Sequence, residues 1–306
     1  MNINTNMNMN SPSNLVSQGA SKFNKFSSNK YLNGTKEFLT SNSMIARFAF
    51  LLLVIIVFVS LLRIGSTLLA SLFSPSSNPI LINGMIDSEQ MQVIPQNPSE
   101  QGSIPILRSQ NDSDGMEFTW SVWIFIKDLR NRRDEYKHIF HKGNDDIRIL
   151  NDDTSASGNV RVGMNQPNNA PGLYITPHTN NLAVVMNTFD KINDEVIIKG
   201  VPLKKWVNVI IRLNKQNQLD VYINGTIAKR HILQGVAKQN YGNVYASMNG
   251  GFSGHTSELR YFDSAIGTNQ IKNIVQKGPN MSVSNQTNMA QSSPYYLSTK
   301  WYLSEI

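Results

Sequence analysis

Cysteine is absent from this sequence of 306 residues, and charged residues make up only 16% of it. Without cysteine there are no disulfide bridges, no thiolate metal ligands and no cysteine nucleophile. A folded domain must then be held together by its apolar core, which a chain of this length can supply. The absence fits an exported domain that does without disulfides, and it equally fits a domain that never meets an oxidising compartment.

The net positive charge is small over the larger part of the chain. The total net charge is +7, of which residues 1–47 carry +4 and Arg63 adds one more. Residues 64–306 therefore keep a net charge of only +2. Because a nucleic-acid-binding domain presents a basic face on its folded part, nucleic acid is not an expected partner.

One long apolar run stands out, FAFLLLVIIVFVSLL over residues 48–62. Fifteen helical residues cover only about 22 Å of a hydrocarbon core roughly 30 Å thick, so the helix must continue past Arg63. Near an interface, the Arg63 side chain reaches the headgroups. We predict a transmembrane signal-anchor helix over 44–73. A cleaved signal peptide is disfavoured because the region before the run is so long.

Flanking charges predict the direction of this helix. The arm before it is basic, whereas the first charges after Arg63 are Asp87, Glu89 and Glu100. The positive-inside rule then places the N-terminus in the cytoplasm and the C-terminal domain outside the cell, in a lumen or at a virion surface. Glycosylation sequons would be available on that side, with their use left open. They begin at Asn111, Asn224, Asn280 and Asn285.

Composition divides the rest of the chain. Residues 1–43 are rich in Asn and Ser and are predicted to form a disordered basic cytoplasmic arm. Residues 74–103 are polar and contain four prolines, which predicts an extended stalk. A folded domain is expected over 104–277. A flexible tail over 278–306 ends in PYYLSTKWYLSEI, an aromatic run that could dock on the domain, a partner or the membrane surface.

Within 104–277, short apolar runs alternate with turn residues, a pattern typical of a β-sandwich or barrel. In the run 116–127 both alternating faces are largely apolar, which predicts a central strand covered on both sides. Asn224-Gly225 suits a hairpin turn with positive φ at both residues. Residues 268–276 depart from this strand pattern and are predicted to form a helix that Thr268 caps.

Four segments in order along the chain resemble laminin G-like domains of the concanavalin A-like lectin and glucanase superfamily. They are FTWSVWIFI (118–126), HIFHKGN (138–144), KWVNVIIRLNKQNQLDVYINGTIA (205–228) and GGFSGHTSELRYFDSAIGTNQI (250–271). The resemblance covers about half of the chain. It implies an all-β, antiparallel jelly-roll sandwich, and some members bind calcium at the sandwich rim. Ser257 stands where the family often has an acidic residue, which weakens an inherited polar or calcium site there.

Catalysis is not expected. Related jelly-roll hydrolases place paired carboxylates on one face of a strand, and a retaining pair stands about 5 Å apart. No such run occurs, because the acidic segment DKINDE (190–195) reads as a loop. His138 and His141, three residues apart on a strand, are predicted to point to opposite faces, which disfavours a histidine metal site.

Two loop regions are candidate sites. A basic cluster suits anionic glycans or lipid headgroups, although nearby acidic residues partly cancel it and a plain solvated loop is the alternative. It comprises Arg130, Arg132, Arg133, Lys137 and Lys142. A group of hard oxygen ligands suits calcium, the only cofactor indicated, with ordinary Asp-rich turns as the alternative. It comprises Asp145, Asp146, Asp152 and Asp153.

The sequence thus predicts a membrane-anchored, non-enzymatic binding or adhesion module. Its partner would be a carbohydrate or a protein, recognised through the rim loops of the sandwich, and its helix would contact the lipid bilayer. One alternative is a structural virion or envelope protein that packs against coat proteins, since an Asn-rich, cysteine-free composition suits a large DNA virus. The other alternative is a glycan hydrolase.

Overall fold

A computed structural model describes residues 43–73, 75–109, 111–112, 115–147 and 161–283 of the chain. The chain divides into two compact units after Ser74. Nearly all of the predicted cytoplasmic arm and the aromatic end of the predicted tail lie outside the described residues.

The first unit contains one long helix, α1 (Met44–Phe73). Thirty residues give it a length of about 45 Å, and Met44–Ser71 is long and apolar enough to cross a membrane. Apolar side chains along the helix, such as Leu51, Ile55 and Phe58, are more than half exposed. The prediction of an apolar helix long enough to span a membrane is therefore confirmed.

Antiparallel strands build the second unit. Their bounds are β1 (Ile80–Asp87), β2 (Gln92–Ile94), β3 (Asn111–Asp112), β4 (Gly115–Met116), β5 (Phe118–Ile126), β6 (Lys137–Gly143), β7 (Gly172–Ile175), β8 (Leu182–Met186), β9 (Asp194–Ile198), β10 (Trp206–Leu213), β11 (Gln218–Ile223), β12 (Thr226–Ile232), β13 (Asn243–Ala246) and β14 (Gly254–Phe262). Within the described residues, sheet A runs β1-β14-β5-β10-β11-β12, and sheet B runs β2-β13-β6-β7-β8-β9. β3 and β4 form a separate small hairpin. The predicted all-β antiparallel sandwich is confirmed.

β5 shows why these residues form a sandwich. Every second residue, Trp120, Val122 and Ile124, points into the core between the sheets, and each is at most 1% exposed. β5 lies between β14 and β10, and almost its whole length is buried. The prediction of a central strand covered on both faces is confirmed.

The hairpin turn between β11 and β12 also follows the prediction. Asn224 and Gly225 have φ values of 49° and 81°, and Ile223 pairs with Thr226 across the turn. The Asn224 side chain accepts the backbone N–H of Asn208 at 2.9 Å. The side-chain oxygen and the left-handed backbone explain why an Asn-Gly pair stands here.

The predicted C-terminal helix is present as α2 (Thr268–Lys277). It covers an apolar cluster on the outer face of sheet A that contains Ile210, Tyr222 and Ile271. The predicted cap is wrong by one residue. Gly267 occupies the N-cap position, and its backbone N–H donates to the Gln270 side chain at 3.3 Å.

The predicted stalk over 74–103 does not hold from Ile80 onward, because β1 and β2 belong to the sandwich. Met85 pairs with Ser257 of β14, and Val93 pairs with Tyr245 of β13. Leu81 in β1 is fully buried. The partners of both strands lie more than 150 residues further along the chain, so proline-rich local composition gave no sign of the pairing. The folded domain begins near Ile80 rather than at residue 104.

Candidate ligand-binding site

A cavity of about 130 Å³ opens at one end of the sandwich, between residues of both sheets. The strand residues that line it include Phe118, Trp120, Lys142 and Tyr261. Two segments, 106–109 and 238–241, line the rest together with Gln96, Met116 and Ala170. Strand pairing brings the segments together, although more than 100 residues separate them in the sequence.

Aromatic rings form the inner wall of the cavity. Trp120 lies against Phe140 and Tyr261, with ring centroids 5.2 Å apart in both pairs. Burial raises the pKa of the Tyr261 phenol, which therefore stays neutral. The wall is a rigid apolar surface, because each ring is fixed by another ring.

Cationic side chains line the same cavity, namely Arg108, Lys142 and Lys238. The Lys142 ammonium group is nearly buried and donates to the carbonyl oxygen of Gly242 at 2.8 Å. Burial lowers the pKa of Lys142 to about 8, so it still carries its charge at neutral pH. Lys238 also lies over the ring of Phe189, 5.2 Å from its centroid.

One lining residue has an unused acceptor. The side-chain oxygen of Gln239 is buried and has no hydrogen-bond partner within the described part of the chain. A buried acceptor without a donor costs free energy, on the order of 1–3 kcal/mol. A ligand hydroxyl or N–H in the cavity would remove that cost.

A second, more open depression of about 510 Å³ adjoins the cavity. The two share Gln239, Asn240 and Tyr241. The remaining lining of the depression is mostly small or carries amides: Gly143, Asn144, Asn168, Gly242, Asn243 and Tyr245. Tyr241 is 75% exposed and so presents its ring to solvent. An exposed aromatic ring surrounded by amides suits a ligand that has both apolar faces and hydroxyl groups.

Two buried histidines support the depression from below. His138 and His141 contact each other through Nε2 and Nδ1 at 2.6 Å. The predicted placement of these side chains on opposite faces of the strand is wrong. The pairing of β6 with β7 shifts register between His138 and Phe140, and this irregularity turns both imidazoles to the outer face.

The hydrogen bonds determine the protonation of this pair. The Met248 backbone N–H donates to His138 Nδ1 at 3.0 Å, so the proton of a neutral His138 is on Nε2 and is donated to His141. His141 then carries its proton on Nε2 and donates it to the Asn144 carbonyl at 2.7 Å. A further proton would have to sit on Nδ1 of His138 or of His141, and each of these atoms already accepts a hydrogen bond. Burial accordingly lowers the pKa of His138 well below its usual value and that of His141 to about 4.

The same pair fixes two residues of the depression. Asn144 accepts from His141, and the ring of Tyr245 stacks on His141 with centroids 5.1 Å apart and planes 12° apart. Asn168 is held by a neighbouring network, in which its carbonyl oxygen accepts from the Asn165 side chain, and the Tyr174 hydroxyl donates to Asn169 and accepts from the Asn165 backbone. The floor of the depression is therefore rigid, whereas Tyr241 projects from it.

The five predicted basic residues do not form one cluster. Lys142 alone among them lines the cavity. Arg130 is exposed and pairs with Asp128 at 3.3 Å. Arg132 donates to the Gly251 carbonyl at 2.9 Å, while Arg133 is exposed. Lys137 is buried, and its amino group has no partner within the described residues.

The predicted calcium ligands are only half described, because Asp152 and Asp153 lie outside the described residues. Asp145 and Asp146 are exposed side chains just after β6. Across the described ranges, no three carboxylate or imidazole groups come together in a way that could hold a metal ion. Calcium at this loop therefore stays a prediction that the described residues do not themselves support.

The sequence did not predict the loop that lines both the cavity and the depression. Lys238, Gln239 and Tyr241 lie in the polar run KQNYGN between β12 and β13. An exposed aromatic residue among amides was the available signal. It was not distinctive in an Asn-rich chain, and Arg108 lies about 130 residues away with nothing local to link the two.

Fold and site together define an antiparallel β-sandwich protein with a rim cavity and one apolar helix that could cross a membrane. No known protein family matches the sequence. No curated protein matches it either.

Among solved structures, the chain is similar to receptor-binding domains of botulinum neurotoxins. The receptor-binding domain of neurotoxin D is 15% identical, with a TM-score of 0.43, over 66% of this chain and 52% of that one. The serotype D ligand-binding domain in complex with N-acetylneuraminic acid is 11% identical, with a TM-score of 0.39, over 64% and 51%. The domain of the C/D mosaic serotype is 12% identical, with a TM-score of 0.39, over 54% and 37%. The match spans about half or less of these structures, and the function proposed below rests on the residues of this chain.

Proposed function

We propose that this protein is a membrane-anchored binding module whose sandwich recognises a carbohydrate through its end cavity and the adjoining depression. One observation carries the proposal. A single loop, 238–241, contributes the exposed Tyr241 ring and lines both the amide-rich depression and the cavity with its aromatic and cationic lining. The C–H faces of a sugar ring stack on an aromatic ring, while its hydroxyls hydrogen-bond to amides.

Binding is favoured over hydrolysis at this place. Glycoside hydrolysis uses a pair of carboxylates flanking the scissile bond. The described residues that line the cavity and the depression supply amides, cations and aromatic rings, with no Asp or Glu among them. Their chemistry is that of a recognition surface.

A glycan array probed with the full chain in detergent micelles tests the proposal. We expect a defined set of glycans to bind, and Tyr241→Ala to weaken that binding by about tenfold or more, since a central aromatic anchor contributes more than about 1 kcal/mol. Tyr241 is mostly exposed, so this substitution leaves the fold intact. Ile232→Ala, which shortens an exposed apolar side chain of β12 outside the cavity and the depression, is the control and should bind normally.

The array also separates the alternatives. Absence of any bound glycan would count against the proposal and leave a protein partner as the better hypothesis. Repeating the array with a calcium chelator addresses the predicted Asp145 and Asp146 site. Loss of binding on chelation would move recognition to that loop.

We further propose that α1 anchors the protein with its N-terminus in the cytoplasm. The support is its length and apolar surface, together with the basic arm before it and the acidic residues after it. Protease protection in sealed membrane vesicles tests this direction. An N-terminal tag should be protected when the cytoplasmic side faces inward and a C-terminal tag should be digested, and the reverse pattern would contradict the proposal.

A further inference from the structure

The charge of the cavity lining narrows the class of ligand. Arg108, Lys142 and Lys238 all line a space of only about 130 Å³, and its described lining contains no carboxylate to balance them. Each of the three is a donor, and none can accept. Three cations without an anionic partner in one small cavity favour a ligand that brings negative charge.

The burial of Lys142 is a second observation that favours an anionic ligand. It is 8% exposed, and among the described residues its amino group donates to a neutral carbonyl oxygen, that of Gly242. A buried cation is ordinarily paired with a carboxylate, because desolvation disfavours its charge. An anionic group of a ligand would provide the missing counter-charge.

The volume of the cavity limits the size of the ligand group that it can hold. A cavity of about 150 Å³ accepts a single benzene ring, so this cavity has room for one ring, or for the substituted end of one. Trp120 and Tyr261 border this space with only a small part of their rings exposed, and the unpartnered Gln239 oxygen offers an acceptor for a hydroxyl. A glycan of several sugar units does not fit inside the cavity, so only its terminal unit enters.

The neighbouring depression differs in its electrostatics. Asp145 directly follows Asn144, which lines the depression, and the charges of Asp145 and Glu100 add to the effect of burial in raising the pKa of Tyr245, another lining residue. Negative charge on the ligand is therefore favoured in the cavity and disfavoured across the depression. Amides and Tyr241 there suit neutral sugar units.

We propose that the cavity binds the carboxylate-bearing terminal sugar of an acidic glycan, with the following neutral units lying across the amide-lined depression. The carboxylate pairs with Arg108, Lys142 and Lys238, and a hydroxyl of the same sugar donates to the Gln239 side-chain oxygen. This inference rests on the proposed function and deepens it, because it names the ligand class of the same site.

Titration of the full chain in micelles with a matched pair of sugars tests the inference. Glucuronate and glucose differ in one carboxylate, so we expect glucuronate to bind at least about tenfold more tightly if charge-assisted hydrogen bonds form. Binding should change the fluorescence of Trp120, and Trp120→Phe should remove that signal. The other described tryptophans, Trp123 and Trp206, do not line the cavity.

Charge-removing variants locate the carboxylate. Arg108→Gln and Lys238→Gln alter exposed or half-exposed side chains, so folding should be retained, and each should lower the affinity for glucuronate by about tenfold. Lys272→Gln on α2 removes one positive charge from an exposed position outside the cavity and should change nothing. Thermal unfolding of every variant confirms that the fold is intact.

These experiments distinguish failure of the acidic-sugar inference from failure of the proposed carbohydrate binding. Equal affinity for glucose and glucuronate would overturn the acidic-sugar inference while leaving carbohydrate binding in place. An equal loss with Lys272→Gln would show only general charge attraction and would also overturn it. Tighter binding of an acidic peptide such as oligoglutamate would reassign the cavity to a protein partner. Absence of any binding, on the glycan array as well, would remove both proposals.

Discussion

At the scale of single residues, the buried His138–His141 pair explains most about how the depression is held in place. Each hydrogen bond in the chain from Met248 through the two imidazoles to Asn144 has one donor and one acceptor, with both rings neutral. Burial is the main cause of the low pKa of both rings. The charge of Arg132 lowers the pKa of His138 further, whereas the charge of Asp145 raises the pKa of His141 slightly. The pair therefore makes the depression sensitive to acid.

We predict that stability falls as pH drops below the unfolded histidine pKa of about 6.5. The folded pKa of His141 is about 4, so between these values the unfolded state binds more protons and stability rises with pH. From pH 7 to pH 5 the loss should be roughly 2 kcal/mol for His141 alone. Urea unfolding at both pH values, followed by tryptophan fluorescence, measures it.

The double variant His138→Gln, His141→Gln should lose this part of the pH dependence, although it is less stable at pH 7. Lys272→Gln, at an exposed position of α2, is the control and should retain the fall in stability between pH 7 and pH 5. An unaltered profile in the double variant would contradict the neutral pair.

At the scale of elements, the β11–β12 turn and α2 depend on each other. A Cβ atom added to Gly225 would lie 3.3 Å from Val275 Cγ2 of α2, and the φ of Gly225 is positive. We therefore expect Gly225→Ala to cost about 1 kcal/mol or more in the free energy of unfolding. Lys229→Ala on exposed β12 should change it by less than about 0.5 kcal/mol. Equal effects of the two would show that the turn backbone is not restrictive.

Packing beneath α2 gives a second prediction at this scale. Ile271 is 2% exposed and belongs to the cluster with Ile210 and Tyr222. Ile271→Ala should lower the free energy of unfolding by about 3 kcal/mol, since a buried aliphatic side chain is lost and a space remains. Lys272→Ala, next to it and exposed, is the control. Chemical unfolding of both variants measures the difference, and a small loss for Ile271→Ala would mean that α2 is loosely attached.

At the scale of the whole molecule, the two strands before residue 104 decide where the domain begins. Leu81, Ile82 and Ile86 of β1 are buried in the sandwich core. Each such side chain contributes roughly 1.5–3 kcal/mol, and together they approach the total stability of a typical domain. We expect a fragment 75–306 to unfold cooperatively on heating and a fragment 104–306 to aggregate or lack a transition. A cooperative transition at similar temperature in the shorter fragment would return β1 to the role of a stalk.

Local patterns in the sequence determined the sandwich and the apolar helix. Alternation in β5, the Asn224-Gly225 turn and the charge-free run before Arg63 are each set by neighbours a few residues apart, so they are readable without the fold. Tertiary structure alone decided the site and the edge strands. Arg108, Lys142 and Tyr241 meet only because strands distant in the chain pair, and both histidines of β6 face one way only because its register shifts. Long-range pairing and register leave little trace in local composition, and here they determine where a ligand can bind.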